Sequence, residues 1–143
     1  MTSRMLAKKI TDFALSKKAS DVVMMDLRKL SAPSDFFVIC SADSDTQVKA
    51  IADAVRDGSE RIGVRPWHSE GFRALTWVLL DYVDVVVHVF KKEARSFYNL
   101  ERLWGDAKFI PVYDETAPPL AAGIPMKRSA RRTTRRRTRK DAE

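Results

Sequence analysis

The sequence predicts an α/β fold in which helices flank a mixed β-sheet. Helix-like and strand-like patterns alternate along the chain, which favours a layered α/β arrangement. The run Phe36–Cys40 is apolar at every position, as in a central strand that is covered on both faces. Residues 76–82 and 84–90 are strand-like runs joined almost without a loop, which predicts an antiparallel hairpin, whereas helical crossovers favour parallel pairing.

The N-terminal part predicts a helix followed by a strand. Apolar side chains recur at helical spacing over residues 3–18, as expected for an amphipathic helix that covers the sheet. Residues 21–27 then predict the first strand. The apolar positions of the helix are Leu6, Ile10, Phe13 and Ala14.

A second helix is predicted to begin at Ser44, because Gln47 follows three residues later in the form of a capping box. Gly63 suits the left-handed residue that ends such a helix. Residues 64–68 predict a short strand, and Pro66, which has no N–H to donate, places that strand at an edge. The apolar face of the helix is formed by Val48, Ile51, Ala52, Val55 and Ile62.

The hairpin and the helix after it have two distinctive features. Val83 stands at the tip of the hairpin, where a tight turn usually requires a positive φ that a β-branched residue resists. After Lys92 the spacing predicts one amphipathic helix. Its apolar stripe is formed by Phe97, Leu100, Leu103 and Trp104.

We expect one folded domain over residues 1–112 and a Pro/Arg-rich basic tail, disordered on its own, over residues 113–143. Residues 1–119 hold 17 basic and 17 acidic side chains, whereas residues 120–143 hold 9 and 2, so the net charge of +7 lies in the tail. Such a tail either contacts RNA or is an unspecific basic segment, and composition leaves both open. The candidate RNA-contacting residues are Arg131, Arg132, Arg135, Arg136 and Arg137.

Cysteine content and hydropathy predict a cytoplasmic protein. Cys40 is the single cysteine of the chain and follows an apolar run, so we expect a buried, reduced and unreactive thiol. No apolar run approaches the ~20 residues needed to cross a bilayer. The first residues lack the apolar block of a secretory signal, so we expect no export.

The residues that usually hold cofactors or metals are scattered. The five glycines are isolated, so no phosphate-binding loop is predicted. His68 and His88 have no second ligand at a suitable spacing, so no metal site and no cofactor are expected. His88 alternates with Val86 and Phe90, and this pattern favours a hydrogen-bonded packing role over a ligand or base role.

The strand over residues 76–82 carries large side chains on both faces. Alternation places Trp77, Leu79 and Asp81 on one face and Val78, Leu80 and Tyr82 on the other. One face must meet the core. Helices that cover both faces would make every aromatic residue part of the core, whereas one open face would make Trp77 an interface anchor, and both alternatives stay open.

Several segments together resemble the Iojap-like family of bacterial ribosomal silencing factors over residues 5–110. The resemblance implies a five-stranded mixed sheet with a nucleotidyltransferase-like topology that lacks the catalytic motifs. The matching segments are S-D-F-F-V-I-C-S, Q-V-K-A-I-A, Glu70-Gly71, W-V-L-L-D-Y with D-V-V-V-H-V-F, and E-A-R-S-F-Y-N-L-E-R-L-W-G-D-A.

The resemblance implies a binding protein that is not an enzyme. Family members bind the large ribosomal subunit through a basic protein of its intersubunit face, large-subunit protein fourteen. They thereby block joining of the small subunit and repress translation under nutrient limitation, and a homodimer is expected. The implied partner-binding residues are Trp77, Leu79, Asp81 and Tyr82, with Glu70 and Asp84 supplying negative charge.

Two alternatives compete with this interpretation. A nucleotidyltransferase-like or metal-dependent phosphotransfer enzyme would use Asp81 and Asp84, but the Gly-Ser pair that opens a helix in active nucleotidyltransferases is absent. Turn-forming hydrogen bonds also explain these two residues, as capping explains Asp43 and Asp45. A stand-alone RNA-binding protein would rely on the tail, since the folded part is neutral.

Overall fold

The computed structural model describes residues 1–112, which form four helices and six strands. In chain order the helices are α1 (Ser3–Leu15), α2 (Asp45–Arg61), α3 (Lys92–Tyr98) and α4 (Leu100–Leu103). The strands are β1 (Ser20–Asp26), β2 (Phe36–Ala42), β3 (His68–Glu70), β4 (Trp77–Asp81), β5 (Val85–Lys91) and β6 (Lys108–Pro111). The predicted tail, residues 113–143, lies outside the described residues.

The six strands form one mixed sheet in the order β3-β4-β5-β2-β1-β6. Strands β2 and β5 run parallel, and every other neighbouring pair is antiparallel, so the predicted mixed α/β fold is confirmed. The expected number of five strands is wrong. Strand β6 adds a sixth by pairing with β1, and its four residues ending in a proline give too short a pattern to show in the sequence.

Helices α1 and α2 pack together over one face of the sheet and cover it. Strand β2 is buried at all seven positions, as predicted for a central strand. The side chains of Val78 and Leu80 on β4 are fully buried in the same cluster. Each such side chain contributes roughly 1.5–3 kcal/mol when it leaves water, so this layer supplies most of the hydrophobic stabilisation.

One half of the predicted capping box at the start of α2 is present, and the other half is shifted by one residue to Asp43. Ser44 Oγ accepts a hydrogen bond from the Gln47 backbone N–H at 3.2 Å, while Gln47 Oε1 accepts one from the Asp43 N–H at 2.7 Å. The Gln47 side-chain amide also donates to the carbonyls of Lys17 and Lys18. This one side chain therefore fixes the start of α2 against the segment that ends α1.

On the opposite face of the sheet, α3 and α4 replace the single helix that was predicted. Asn99 adopts a left-handed conformation with φ 48° and ends α3, and its side chain caps α4 by accepting from the Arg102 N–H. The predicted continuous apolar stripe is therefore wrong. Phe97 and Leu103 are 81% and 72% exposed, because the break turns them away from the sheet.

Arg95 fastens α3 to the sheet. Its guanidinium donates to the Asp21 carbonyl at 2.6 Å and to Ser41 Oγ at 2.9 Å, which lie on β1 and β2. It also binds Glu101 on α4 through two nitrogens, at 3.1 and 2.8 Å. The position of the two short helices thus depends on charge-assisted hydrogen bonds as well as on apolar packing.

The edge strand β3 lies at His68–Glu70 instead of residues 64–68, so it begins four residues later and ends two residues later than predicted. Its edge position is confirmed. Gly63 has φ +85°, as predicted for the residue that follows α2. Within residues 1–112, no helix is both long enough and apolar enough to span a bilayer.

Helices α1 and α2 approach each other closely at Gly58. A Cβ atom at this position would lie 2.7–2.8 Å from the ring atoms of Phe13. We therefore expect Gly58→Ala to lower the free energy of unfolding by about 1–2 kcal/mol, although alanine is the better helix former by about 1 kcal/mol. Urea unfolding measures this change.

A double-mutant cycle with Phe13→Ala isolates the contact. In the Phe13→Ala background the added methyl group meets no ring, so Gly58→Ala should be neutral or stabilising there. An equal loss of stability in both backgrounds would contradict the proposed clash.

A half-covered sheet face as the candidate functional site

The open face is the surface that alternate residues of β3, β4 and β5 form on the α3–α4 side of the sheet. In antiparallel strands, residues that pair directly project to the same side. On β4, Trp77, Leu79 and Asp81 are half-buried here, whereas Val78 and Leu80 lie under α1 and α2. Three sets of directly paired residues lie side by side across the strands of this face: Trp77 with Phe90, Glu70 with Leu79 and His88, and His68 with Asp81 and Val86.

A shallow groove of about 520 Å³ occupies the part of the open face nearest the β4–β5 turn. Its wall is largely apolar, and three polar side chains, Ser34, Asp81 and His88, also line it. Apolar clefts with few polar groups are the usual form of binding sites. The apolar lining consists of Pro33, Phe37, Trp67, Leu79, Val83 and Val86.

Trp67 is the most prominent apolar side chain of this groove and is 77% exposed. Its backbone N–H donates to the Asp81 carbonyl at 2.8 Å, which holds the residue beside β4 although it precedes β3. The sequence analysis did not select it. An isolated tryptophan beside a proline shows no periodicity, and only its place next to the folded sheet reveals an exposed ring.

Trp77 lies at the other end of the open face and is held by three neighbours. Its ring stacks on Phe90 with centroids 4.9 Å apart and meets Tyr98 of α3 at 4.7 Å. Its indole N–H donates to Nδ1 of His88 at 3.1 Å. Of the two alternatives for β4, the open face is the one observed, but Trp77 itself is half-buried by its neighbours and only partly available to a partner.

His88 forms the hydrogen-bonded packing contact that its pattern predicted. The indole N–H is a donor only, so Nδ1 of His88 is the acceptor and the neutral ring carries its proton on Nε2. Burial lowers the pKa of His88 to about 4, because the charged form cannot be solvated. The Nε2 atom is buried without a hydrogen-bond partner, which costs roughly 1–3 kcal/mol.

The turn between β4 and β5 is tight and strained. Val83 has φ +74°, so the turn is tight and Val83 adopts the positive φ that a β-branched residue resists. The Asp84 N–H donates to the Tyr82 carbonyl, the pattern of a γ-turn, and the Val83 N–H donates to Asp81 Oδ1 at 2.7 Å. Ser34 Oγ donates to the Val83 carbonyl at 2.9 Å and ties the tip to the segment before β2. These bonds offset a backbone strain of about 1–3 kcal/mol.

Asp81 and Asp84, the residues of the enzyme alternative, take part in this turn. One oxygen of Asp81 caps the Val83 N–H, and the Asp84 carbonyl accepts from the N–H groups of Asp35 and Phe36. Among residues 1–112, no three His, Cys, Asp or Glu side chains are grouped closely enough to hold a metal ion. The geometry around these two residues thus supports a structural turn.

Tyr82 does not belong to the open face. Its ring is 8% exposed and packs in the α1–α2 cluster, and its hydroxyl lies 2.7 Å from Ser59 Oγ. Burial raises the pKa of this hydroxyl. Its predicted contact with a partner is therefore corrected to a core role, as strand alternation requires of a residue next to Asp81.

The remaining predicted site residues are exposed carboxylates. Glu70 binds Nε2 of His68 at 2.9 Å on the edge strand, and Asp84 follows the tip of the hairpin. Asp43 and Asp45, at the start of α2, pair with Lys92 and Lys91. The five tail arginines of the sequence analysis lie outside the described residues.

Gly71 holds β4 close to the segment that follows β3. It has φ +93°, and a Cβ atom there would lie 2.0 Å from the carbonyl oxygen of Trp77. Only glycine fits this conformation and this approach. The Glu70-Gly71 pair thus determines where Trp77 sits in the sheet.

Cys40 lies in the core of β2 and is fully buried. Desolvation raises the pKa of its thiol to about 12, so the reactive thiolate is unavailable at neutral pH. The expected buried and unreactive cysteine is confirmed by this environment.

The structure is an α/β domain whose open face carries an apolar groove with acidic side chains at its rim, and residues 1–112 contain no group of three side chains that could hold a metal ion. Comparison with known proteins identifies the family. The profile of the family described as "Ribosomal silencing factor during starvation" matches residues 1–143. This chain belongs to the ribosomal silencing factor family. The match extends beyond residues 5–110 and includes the tail.

Individual relatives agree with this assignment. Ribosomal silencing factor RsfS of Bacillus subtilis is 48% identical over 91 residues, which are 64% of this chain and 77% of the relative. The chloroplastic protein Iojap of Zea mays is 39% identical over 99 residues, 69% of this chain and 43% of the relative. A crystal structure of a Chromobacterium violaceum protein superposes with a TM-score of 0.71 at 34% identity, covering 73% of this chain and 88% of that one.

The buried His88 makes the stability of the protein depend on pH. Its pKa falls from 6.5 to about 4 in the folded state, so between these values the unfolded chain binds a proton that the folded chain does not. The free energy of unfolding is therefore highest above pH 6.5 and decreases by up to about 3 kcal/mol as the pH falls to 4. Urea unfolding of the wild type at several pH values between 7.5 and 4.5 measures this slope.

A His88→Leu variant is the control for this prediction. It lacks the titrating group, so its stability should change less with pH over the same range. Parallel pH profiles for the two proteins would contradict the assignment of the slope to His88.

Proposed function

We propose that this protein binds the large ribosomal subunit and prevents the small subunit from joining it, which represses translation under nutrient limitation. The proposed contact is a ribosomal protein on the intersubunit face, large-subunit protein fourteen. Family membership supports a ribosomal role. The half-covered face of β4, with its apolar groove, is the observation that supports docking to a protein.

The open face has the composition of a protein-binding surface. Trp67 and Leu79 present apolar area beside a half-buried Trp77, and tryptophan is the residue most enriched among interface hot spots. A groove of this size accepts one or two side chains of a partner. Recognition here needs no reactive group, since a bound protein acts by occupying the joining surface.

Acidic side chains at the rim favour a basic partner. Glu70 lies on the edge strand, Asp81 lines the groove, and Asp84 is exposed after the hairpin tip. Complementary charge at a rim speeds encounter and fixes orientation more than it adds affinity. The proposal therefore assigns the apolar groove to affinity and these carboxylates to the rate of association.

The proposal places the protein in the cytoplasm, where ribosomal subunits join, and assigns it no cofactor. It also includes self-association as a homodimer, for which the exposed Phe97 and Leu103 offer apolar surface. The stoichiometry measured by sedimentation shows whether two copies of this protein and the ribosomal protein bind at the same time.

Trp67→Ala is the cleanest test of the docking surface. The side chain is 77% exposed, so its loss should leave the free energy of unfolding within about 0.5 kcal/mol. We expect at least about tenfold weaker binding to purified large subunits, as for removal of an interface hot spot. Co-sedimentation with large subunits, followed by addition of small subunits, measures both affinity and subunit joining.

Met5→Ala is the matched control, since Met5 is a half-exposed apolar residue of α1 on the other side of the sheet. It should bind and block joining like the wild type. Trp77→Ala is less informative, because it also removes contacts with Phe90 and Tyr98. Equal affinities for Trp67→Ala and the wild type would exclude the groove as the docking site.

The proposal extends to the basic tail, which contacts ribosomal RNA through Arg131, Arg132, Arg135, Arg136 and Arg137. Arginines that neutralise phosphates release counterions, so the affinity they add decreases steeply with salt. This charge lies in a segment separate from the acidic open face, so the two contacts act independently.

Deletion of residues 120–143 tests the tail. The truncated protein should bind large subunits more weakly at low salt, by roughly tenfold or more, and its affinity should vary less with salt than that of the wild type. Affinities at 50 and 200 mM salt give both slopes. Identical slopes would show that the tail contributes no phosphate contact.

A further inference from the structure

His88 is a buried polar side chain that the docking surface, as described above, leaves without a role. It is 4% exposed, pairs with Leu79 across β4 and β5 on the open face and makes one hydrogen bond, the one to Trp77. Its second nitrogen has no partner. A leucine would fill the same space without an unsatisfied donor, so packing alone does not account for a histidine here.

The single hydrogen bond of His88 controls the orientation of an aromatic side chain. The torsion that turns a tryptophan ring about its Cβ–Cγ bond is broad and lacks one strongly preferred value. The stacking on Phe90 and the contact with Tyr98 fix the plane of the Trp77 ring. They do not determine which edge of the ring points toward the solvent. The donor at Nε1 selects one edge, because only one orientation directs it at Nδ1 of His88.

We infer that His88 is a positioning residue that fixes the Trp77 indole in the orientation required for docking of the ribosomal protein on the open face. The inference rests on the proposed function. A ring that is already oriented loses less conformational freedom on binding, so affinity increases without any contact between His88 and the partner. The neutral imidazole is required, since a protonated ring has no free acceptor.

The orientation can be tested without a ribosome, by NMR of the indole N–H groups. In the wild type, the Trp77 indole N–H should exchange with solvent at least tenfold more slowly than that of Trp67, whose side chain is 77% exposed. Fast exchange at Trp77 in the wild type would overturn the inference before any variant is made. Trp77→Phe and Trp67→Phe assign the two resonances.

His88→Leu removes the acceptor, and His88→Gln offers a side-chain carbonyl in its place. We expect His88→Leu to remain folded, to release the Trp77 indole N–H to fast exchange and to bind large subunits at least tenfold more weakly. His88→Gln should recover part of both properties. A purely structural role predicts instead that neither variant changes the affinity per folded molecule.

Ile39→Val is the matched control, because Ile39 pairs with His88 in the register of β2 and β5 and is buried on the same face. It removes one methylene group and should leave both exchange and affinity unchanged. If His88→Leu releases the ring but binds as tightly as the wild type, the inference is wrong. If the wild type fails to bind large subunits, the proposed function is wrong, whereas the NMR comparison still decides whether His88 orients Trp77.

Discussion

The structure depends on the unequal covering of the two faces of its sheet by helices. Helices α1 and α2, of 13 and 17 residues, bury the apolar side chains on one face of β1, β2, β4 and β5, whereas α3 and α4, of 7 and 4 residues, cover only the part of the other face around Phe90 and Ile39. The core on the first side is large enough to stabilise the domain. The second side can therefore leave β4 half-exposed without loss of the fold, and the proposed docking surface is the part of this face that the short helices leave half-covered.

Three unfavourable local features of the domain lie around this surface. Val83 adopts a left-handed conformation, His88 keeps a buried donor without a partner, and Gly71 is required by a backbone approach to Trp77. Each costs stability or restricts the sequence, and each affects how β4 and its hairpin present side chains. Such local conflicts are expected where a protein binds or reacts, and the well-packed opposite face compensates for them.

Much of the fold was predictable because its signals are local. The capping pair Ser44 and Gln47, the apolar run of β2 and the alternation on β4 each depend on neighbours within a few residues. The break at Asn99 and strand β6 were missed, because a left-handed asparagine inside a helical pattern and a four-residue strand with a proline leave almost no periodic trace.

The site was only partly predictable, for a related reason. Trp77, Leu79 and Asp81 were placed on one face by alternation, and the same alternation shows why Tyr82 belongs to the other. Trp67, Phe37 and Pro33 reach the groove from segments far apart in sequence, so only tertiary structure joins them to β4. The hydrogen bond between Trp77 and His88 likewise requires the register of β4 against β5, which the sequence pattern leaves undefined.

The edge of the sheet next to the groove limits how any partner can associate. Strand β3 has three residues, two of them the hydrogen-bonded pair His68 and Glu70, and short polar edge strands discourage pairing with strands of other molecules. A partner therefore has little backbone to extend into a continuous intermolecular sheet. Recognition must rely on side-chain shape and charge, which are specific to one surface, and this protects a protein with an open apolar face from joining its own copies into fibres.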